Sequence, residues 1–276
     1  MVEKKFLQGM HPWHYYYQLK NEFDFAIRNR VRWNRFRKPQ ENIQISSILS
    51  EYNSEVKFTT KELVKTFHLD EIRLPFHHDL VEVNLYYLDL LIKSFENLAI
   101  ELPNPLNAVD VGPSDWFYLP ALVSFLRYFG YEQGRQIIMD GYEIDPYRIY
   151  SNFYARHTIA QQRVDAFEHV QYHMQPFVER IDHFDLALQC FPFLLLKDHL
   201  SWGLPKRLFN PKKLLHAVTI SLKQNGILLI INQGLAENRL QKELLSETGM
   251  QVIREFQFTS EYKQYDHEHY VLVVKK

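Results

Sequence analysis

Residues 107–130, NAVDVGPSDWFYLPALVSFLRYFG, decide how the rest of this 276-residue sequence is interpreted. Their first apolar run, residues 108–111, is typical of a short buried strand. Gly112, Pro113 and Ser114 form a turn signal, and an apolar helical segment follows them. A strand that passes through a glycine turn into a helix opens many nucleotide-binding α/β units. The sequence therefore predicts that the functional site lies at this turn.

Beyond the turn, strand patterns alternate with helical ones. The predicted helices follow Pro146 (through Phe153) and cover residues 211–224 and 235–247. The predicted strands cover residues 136–145, 170–173, 184–190, 227–232, 251–258 and 269–274. The last two strands have no helix between them and should form an antiparallel hairpin at one edge. Together with residues 108–111, these strands predict an α/β fold with a doubly wound, mostly parallel, seven-stranded sheet.

The N-terminal part of the sequence is mainly helical. A helical pattern follows Pro12, a capping box at Thr59–Glu62 opens a short helix, and a strong helix follows Pro75. We predict a helical N-terminal extension over residues 1–75 and a Rossmann-like domain over residues 76–276.

The composition limits the kind of protein and its surroundings. A hydrophobic content of 46% and an aromatic content of 15% are sufficient for a large core and an aromatic pocket. The formal net charge of −1 gives no overall attraction to nucleic acid or to an anionic membrane. The single cysteine, Cys190, excludes an intramolecular disulfide and fits a reducing compartment. Because no signal peptide or membrane-length apolar run is found, we expect a cytoplasmic protein without membrane association.

The order of these motifs resembles that of the class I S-adenosylmethionine-dependent methyltransferases, over roughly residues 75–276. In that family an acid in the first strand precedes a glycine-rich turn, as Asp110 precedes Gly112 here. The second strand ends in an acid that accepts hydrogen bonds from both ribose hydroxyls, and Glu143 stands at the matching position. The resemblance implies a Rossmann-like fold, S-adenosylmethionine as cofactor, and transfer of its methyl group. The cofactor-binding residues that it implies are Asp110, Gly112, Pro113, Ser114, Asp115, Glu143, Ile144, Met174, Gln175 and Gln189.

Two residues of the turn depart from the family pattern. Ser114 and Trp116 stand where the family usually has its second and third glycines. These departures favour an alternative in which a noncatalytic binding or scaffold protein has kept the fold. A dinucleotide-dependent oxidoreductase is a further alternative, but the terminal hairpin argues against it.

The substrate side of the site is less well defined. The resemblance and the aromatic side chains predict a substrate pocket formed by Phe191, Phe193 and Trp202. The methyl acceptor is unidentified, with a small molecule favoured, and no catalytic residue or metal ligand is assigned. The histidine-containing clusters at residues 77–79 and 266–269 are expected to be solvated surface.

A basic run in the N-terminal extension has three interpretations. Residues 28–38 carry six positive charges and no acid. They form a solvated helix face, a site for an anionic partner, or a contact for nucleic acid in which aromatic side chains stack on bases. The last interpretation corresponds to an RNA-binding methyltransferase and involves Arg28, Arg30, Arg32, Trp33, Arg35 and Arg37.

Overall fold

The computed structural model describes residues 13–35, 54–72 and 78–276, and predictions that concern other residues, such as Phe36, Arg37 and His77, lie outside them. One seven-stranded sheet has the order β3-β2-β1-β4-β5-β7-β6. Its strands are β1 (Leu106–Val111), β2 (Ile137–Tyr142), β3 (Val170–His173), β4 (Phe184–Cys190), β5 (Leu222–Gln233), β6 (Gln251–Phe258) and β7 (His269–Lys275). Strands β1 to β5 run parallel, and β7 is antiparallel to both β5 and β6. The predicted fold class is confirmed.

The helices cover both faces of this sheet. Alternate residues of a strand point to opposite faces, so Leu229 joins one apolar cluster and Leu228 the other. The first cluster includes residues of α3 and α4, and the second includes residues of α7 and α8. The described helices are α1 (Trp13–Val31), α2 (Ser54–Thr66), α3 (His78–Phe95), α4 (Leu119–Tyr128), α5 (Arg156–Val164), α6 (Leu196–Ser201), α7 (Pro211–Ser221) and α8 (Gly234–Leu245). None of these helices has the length and apolar character needed to cross a membrane.

The strand order places the site. Strand β1 pairs with β2 on one side and with β4 on the other. The chain therefore reverses its direction of winding between β1 and β4, and ligands of open α/β sheets bind beyond the carboxyl ends of the strands at such a point. The turn after β1 lies at this position.

Four boundary predictions are wrong. Residues 146–155 form turns instead of a helix, because a bridge between Ile149 and Ala155 closes them into a loop, and α5 begins only at Arg156. The helix after β1 begins at Leu119 rather than directly after the turn. Helix α2 begins at Ser54, so the supposed capping box lies inside it. Strand β5 begins five residues earlier than predicted, at the end of α7.

The N-terminal helix α1 is attached to the sheet domain. The Asn21 side-chain amide donates hydrogen bonds to the carbonyl oxygens of Leu200 and Leu204, at 2.8 and 3.1 Å. Asn21 is buried, so these bonds are shielded from water. The division into an extension and a domain at residue 75 stays a prediction.

Candidate functional site at the carboxyl edge of the sheet

The turn after β1 has the backbone of a glycine-rich loop. Gly112 has a φ of +85°, and its N–H donates to the carbonyl oxygen of Tyr142 at 2.9 Å, which joins the turn to the end of β2. Ser114 and Trp116 have φ values of +59° and +57°, in the left-handed region that favours glycine. A Cβ added to Gly112 would meet no atom of a described residue within 4 Å. The turn therefore keeps the glycine-type course at all three positions and leaves open space beside the first.

Trp116 directs its side chain into the core. Its indole is fully buried, and its Nε1 donates to the Asp110 Oδ2 atom at 2.8 Å. The ring lies against β2, where a Cβ added to Gly141 would come within 2.5 Å of it. Trp116 therefore replaces a glycine without filling the space beside Gly112.

Asp110 is a buried carboxyl group that is only partly satisfied. Its Oδ2 accepts hydrogen bonds from Trp116 and from the Tyr118 hydroxyl, the latter at 2.7 Å, while its Oδ1 has no partner among the residues that the structure describes. Burial raises the pKa of Asp110 to about 7, although the two donated hydrogen bonds lower it. The carboxyl group therefore titrates near neutral pH.

Glu143 follows β2, and the chain itself already uses most of its acceptor capacity. Its Oε2 accepts from the Ser114 N–H at 2.9 Å, and its Oε1 accepts from the Asp145 N–H at 2.7 Å and from Arg156 Nη1 at 3.0 Å. A carboxylate has about four acceptor sites, so the bonds from the described residues leave Glu143 one site, on Oε2. In this arrangement Glu143 can accept one ribose hydroxyl, not the two that the family resemblance implies.

A cavity of about 890 Å³ opens beside the turn. Of the residues predicted for the cofactor and substrate, Ser114, Asp115 and Trp202 line it. The loop after β2 contributes residues 148–152 to the wall, and α1 and α5 contribute others. The most prominent feature of the lining is a set of four arginines, namely Arg28, Arg148, Arg156 and Arg163.

Two of these arginines share one buried carboxylate. Arg28 Nε and Nη2 contact the two oxygens of Asp145 at 3.1 and 3.2 Å, and Arg148 Nε contacts Oδ2 at 2.7 Å. The Asp145 side chain is fully buried. Burial lowers the pKa of Arg148, whereas the Asp145 carboxylate raises it. These bonds connect α1 to the loop that follows β2.

The other two arginines are on one face of α5. Arg156 is buried beside Glu143; its burial lowers its pKa, but the Glu143 carboxylate and other neighbours raise it above the ordinary value. Arg163 Nη1 contacts Asp115 Oδ2 at 3.1 Å. Sequence reasoning missed both residues, although their separation of seven positions corresponds to two helical turns and so to a shared face.

The remaining predicted cofactor residues are not part of the cavity wall. Met174 and Gln175 lie exposed just after β3, whereas Gln189 is buried within β4. Pro113 is buried and Ile144 half-buried. The structure therefore connects Asp110, the turn and Glu143 through hydrogen bonds but places the other residues around them at separate strand ends.

The substrate-side aromatic residues form two groups. The Phe193 ring lies 5.9 Å from that of Trp202, and the Phe191 ring lies 4.7 Å from that of His269. His269 is buried and hydrogen-bonded to the Tyr86 hydroxyl through Nδ1. The prediction of solvated surface is wrong for this histidine, because the Tyr86, Phe191 and Tyr265 rings surround it.

Neither metal nor thiol chemistry is indicated among the described residues. No cluster of three or more His, Cys, Asp or Glu side chains among them has a geometry that could hold a metal ion. Cys190 is half-buried, and burial raises the pKa of its thiol well above its usual range. A protonated thiol is a poor nucleophile, so the structure gives no support for a cysteine nucleophile.

The first part of the basic run lies against the loop after β2. The Trp33 Nε1 donates to the Phe153 carbonyl oxygen at 2.9 Å, and the Arg35 guanidinium lies 5.3 Å from the Tyr154 ring centre. Arg30, Arg32, Trp33 and Arg35 are exposed, as a solvated face requires, but Arg28 turns inward to Asp145. The solvated-face interpretation is therefore wrong for Arg28, and the nucleic-acid interpretation stays a prediction.

The strand order and the turn together define an α/β protein with the sheet expected of a class I methyltransferase-like fold. No protein-family model matches the sequence, and no curated protein matches it.

Solved structures show a likeness in fold. A SAM-dependent methyltransferase from Aquifex aeolicus is 16% identical to this chain; the match covers 70% of this chain and 92% of the methyltransferase, with a TM-score of 0.48. The [4+2]-cyclase SpnF has 12% identity over 72% and 82%, also with a TM-score of 0.48. TYW2 from M. jannaschii, solved in complex with AdoMet, has 11% identity over 70% and 74%, with a TM-score of 0.43. At these identities the likeness concerns the course of the backbone alone, and a fold does not fix a reaction.

Proposed function

We propose that this protein is an S-adenosylmethionine-dependent methyltransferase whose cofactor binds at the turn after β1. The observation that carries the proposal is the glycine-type backbone at Gly112, Ser114 and Trp116, with open space beside Gly112. The unpartnered Oδ1 of Asp110 and the remaining acceptor site of Glu143 add polar atoms suited to the amino group and ribose of such a cofactor.

The bound cofactor would supply an activated methyl group. This chain would bind the cofactor, orient the acceptor towards the methyl group and exclude water. The turn would hold the cofactor, and Glu143 would accept one ribose hydroxyl. Met174 and Gln175 would lie beside the base, and Gln189 near the centre of the cofactor. Phe191, Phe193 and Trp202 would face the acceptor.

The proposed acceptor is a small molecule. The cavity volume of about 890 Å³ falls within the range of small-molecule sites, which is about 300–1,000 Å³. The proposed compartment is the cytoplasm, which suits a sequence with one cysteine.

Isothermal titration calorimetry of the full chain with S-adenosylmethionine, S-adenosylhomocysteine and NAD tests the proposal. We expect saturable binding of the first two and none of NAD. Binding of NAD alone would support the oxidoreductase alternative, and binding of none of the three would support the noncatalytic one; either result overturns the proposal.

A Glu143→Gln variant tests the position of the cofactor. Glutamine keeps the shape but replaces a charged acceptor, and a lost hydrogen bond to a charged group corresponds to about 1.5–3 kcal/mol, or roughly 10-fold to 150-fold in affinity for S-adenosylhomocysteine. Glu255→Gln is the matched control. Glu255 lies on the edge strand β6, away from the turn, and like Glu143 it pairs with a basic side chain, that of Lys242. Equal affinities of the two variants, with folding confirmed by circular dichroism, would remove Glu143 from the cofactor site.

A further inference from the structure

We propose that the arginine-lined cavity binds an anionic group of the methyl acceptor, a carboxylate or a phosphate. This inference rests on the proposed function. It adds the chemical class of the substrate, which neither the turn nor the substrate-side aromatic residues define.

The charges around the cavity favour an anion. Four arginines line it, and three carboxylates pair with them, namely Asp115, Glu143 and Asp145. Among the residues that the structure describes, the balance is one uncompensated positive charge in a partly buried site. Attraction of an anion is stronger there than at an exposed surface, because the effective dielectric constant is lower.

One donor of this set lacks an acceptor in the described part of the chain. Arg156 is 2% exposed, and its Nη2 is a buried atom that forms no hydrogen bond with any described residue. A buried donor without an acceptor costs about 1–3 kcal/mol, more when it is charged. An anion near Arg156 would remove this cost, and planar guanidinium groups suit the bidentate binding of carboxylate and phosphate.

An aromatic ring lies directly against two of the arginines. The Arg148 and Arg156 guanidinium carbons lie 5.3 and 6.0 Å from the Trp202 ring centre. Ser151 and Asn152 contribute polar side chains to the same lining. The cavity therefore offers an anion site next to an aromatic face, which fits a small acid with an apolar or planar portion.

The anion belongs to the acceptor rather than to the cofactor for two reasons. S-adenosylmethionine carries a sulfonium and an ammonium cation beside its one carboxylate, so its net charge is positive, and the net positive charge of the cavity disfavours it. In addition, most predicted cofactor residues lie outside the cavity wall, whereas Trp202 of the segment after β4 and Arg28 of α1 are part of it. The arginines would thus bind a part of the acceptor that lies away from the atom to be methylated.

Fluorine NMR of the full chain labelled with 5-fluorotryptophan provides a local readout. The sequence has four tryptophans, and a Trp202→Phe variant assigns the signal of Trp202. Inorganic phosphate and acetate are titrated separately at constant ionic strength, with and without saturating S-adenosylhomocysteine. We expect a saturable shift of the Trp202 signal with phosphate and with acetate, whether or not S-adenosylhomocysteine is present.

Arg163→Gln should weaken phosphate binding about tenfold, because the cavity lining loses one of its positive charges. Arg163→Lys, which keeps the charge, should recover part of this loss. The matched control is Arg254→Gln on β6, whose arginine pairs with Glu96 away from the cavity. The control should bind phosphate as the wild type does.

Three results would overturn the inference. The first is the absence of a saturable shift, and the second is equal phosphate affinity in Arg163→Gln and Arg254→Gln. The third is loss of phosphate binding when S-adenosylhomocysteine is present, which would assign the arginines to the cofactor carboxylate while the proposed function stands. Phosphate binding without any binding of S-adenosylhomocysteine would instead support the anion site and overturn its connection to methyl transfer.

Discussion

Gly141→Ala tests the packing that holds the turn in place. A Cβ at this position would lie 2.5, 2.8 and 2.9 Å from the Cη2, Cζ3 and Cζ2 atoms of Trp116. Carbon atoms in contact prefer about 3.5–4.0 Å, so the indole has to move by roughly 1 Å. It has little freedom to do so, because it is fully buried and its Nε1 is bonded to Asp110.

Overpacking of this kind costs about 1–3 kcal/mol in the free energy of unfolding. Urea denaturation followed by circular dichroism measures it, and the variant should show a lower midpoint with an unchanged slope. Because Trp116 belongs to the turn, binding of S-adenosylhomocysteine should weaken as well.

The control is the same substitution in a Trp116→Phe background. Phenylalanine lacks the six-membered indole ring whose atoms the new Cβ would meet, so Gly141→Ala should be neutral or stabilise this background, as alanine generally does relative to glycine. The coupling between the two positions should therefore exceed about 1 kcal/mol. An equal cost in both backgrounds would refute the packing argument.

Three further predictions concern buried charges. The folded pKa of Asp110, about 7, lies above its unfolded value near 4, so this group makes the free energy of unfolding fall as pH rises from about 4 to 7; Asp110→Asn should remove that fall. Burial lowers the pKa of His269 to about 4, so its contribution is present above its unfolded pKa and is lost as pH falls from about 7 to 4. His269→Gln should remove that loss. Urea titrations of each variant across pH 4–8 separate the two opposing trends. If the free energy of unfolding depends on pH in both variants as it does in the wild type, both predictions are contradicted. Asp145→Asn should cost about 3 kcal/mol and increase deuterium uptake in α1, because Arg28 and Arg148 lose their shared carboxylate; unchanged uptake would contradict the attachment.

Local patterns of the sequence were sufficient for the sheet. The strand before Gly112 and the strand from 184 to 190 are short apolar runs, and both were predicted nearly as observed. The segment after Pro146 was predicted as a helix, because Tyr147, Ile149, Tyr150 and Phe153 have nearly helical spacing. Contacts between residues far apart in the chain help to hold this segment as a loop, such as the bond from the Trp33 Nε1 to the Phe153 carbonyl oxygen.

The site was predicted only in part, because local motifs define some of its residues and contacts between distant residues define the others. The positions of Asp110, Gly112 and Glu143 follow from motifs, and the structure does connect them. The arginine set depends on pairs far apart in the chain, such as Arg28 with Asp145 at a separation of 117 residues. Such pairs arise only when α1 packs on the folded domain. The basic run therefore indicated a cluster of positive charge but not which of its side chains point inward.

The position of β7 affects how the sheet is completed during folding. Strand β6 is made before β7, yet β7 is its strand partner in the sheet and also covers the open edge of β5. Until β7 inserts between them, β5 and β6 both present unpaired backbone groups of the kind that recruit other chains. This half of the sheet is therefore completed by a strand that follows both of its partners in the sequence, and a chain in which β7 is slow to insert is open to association with other chains.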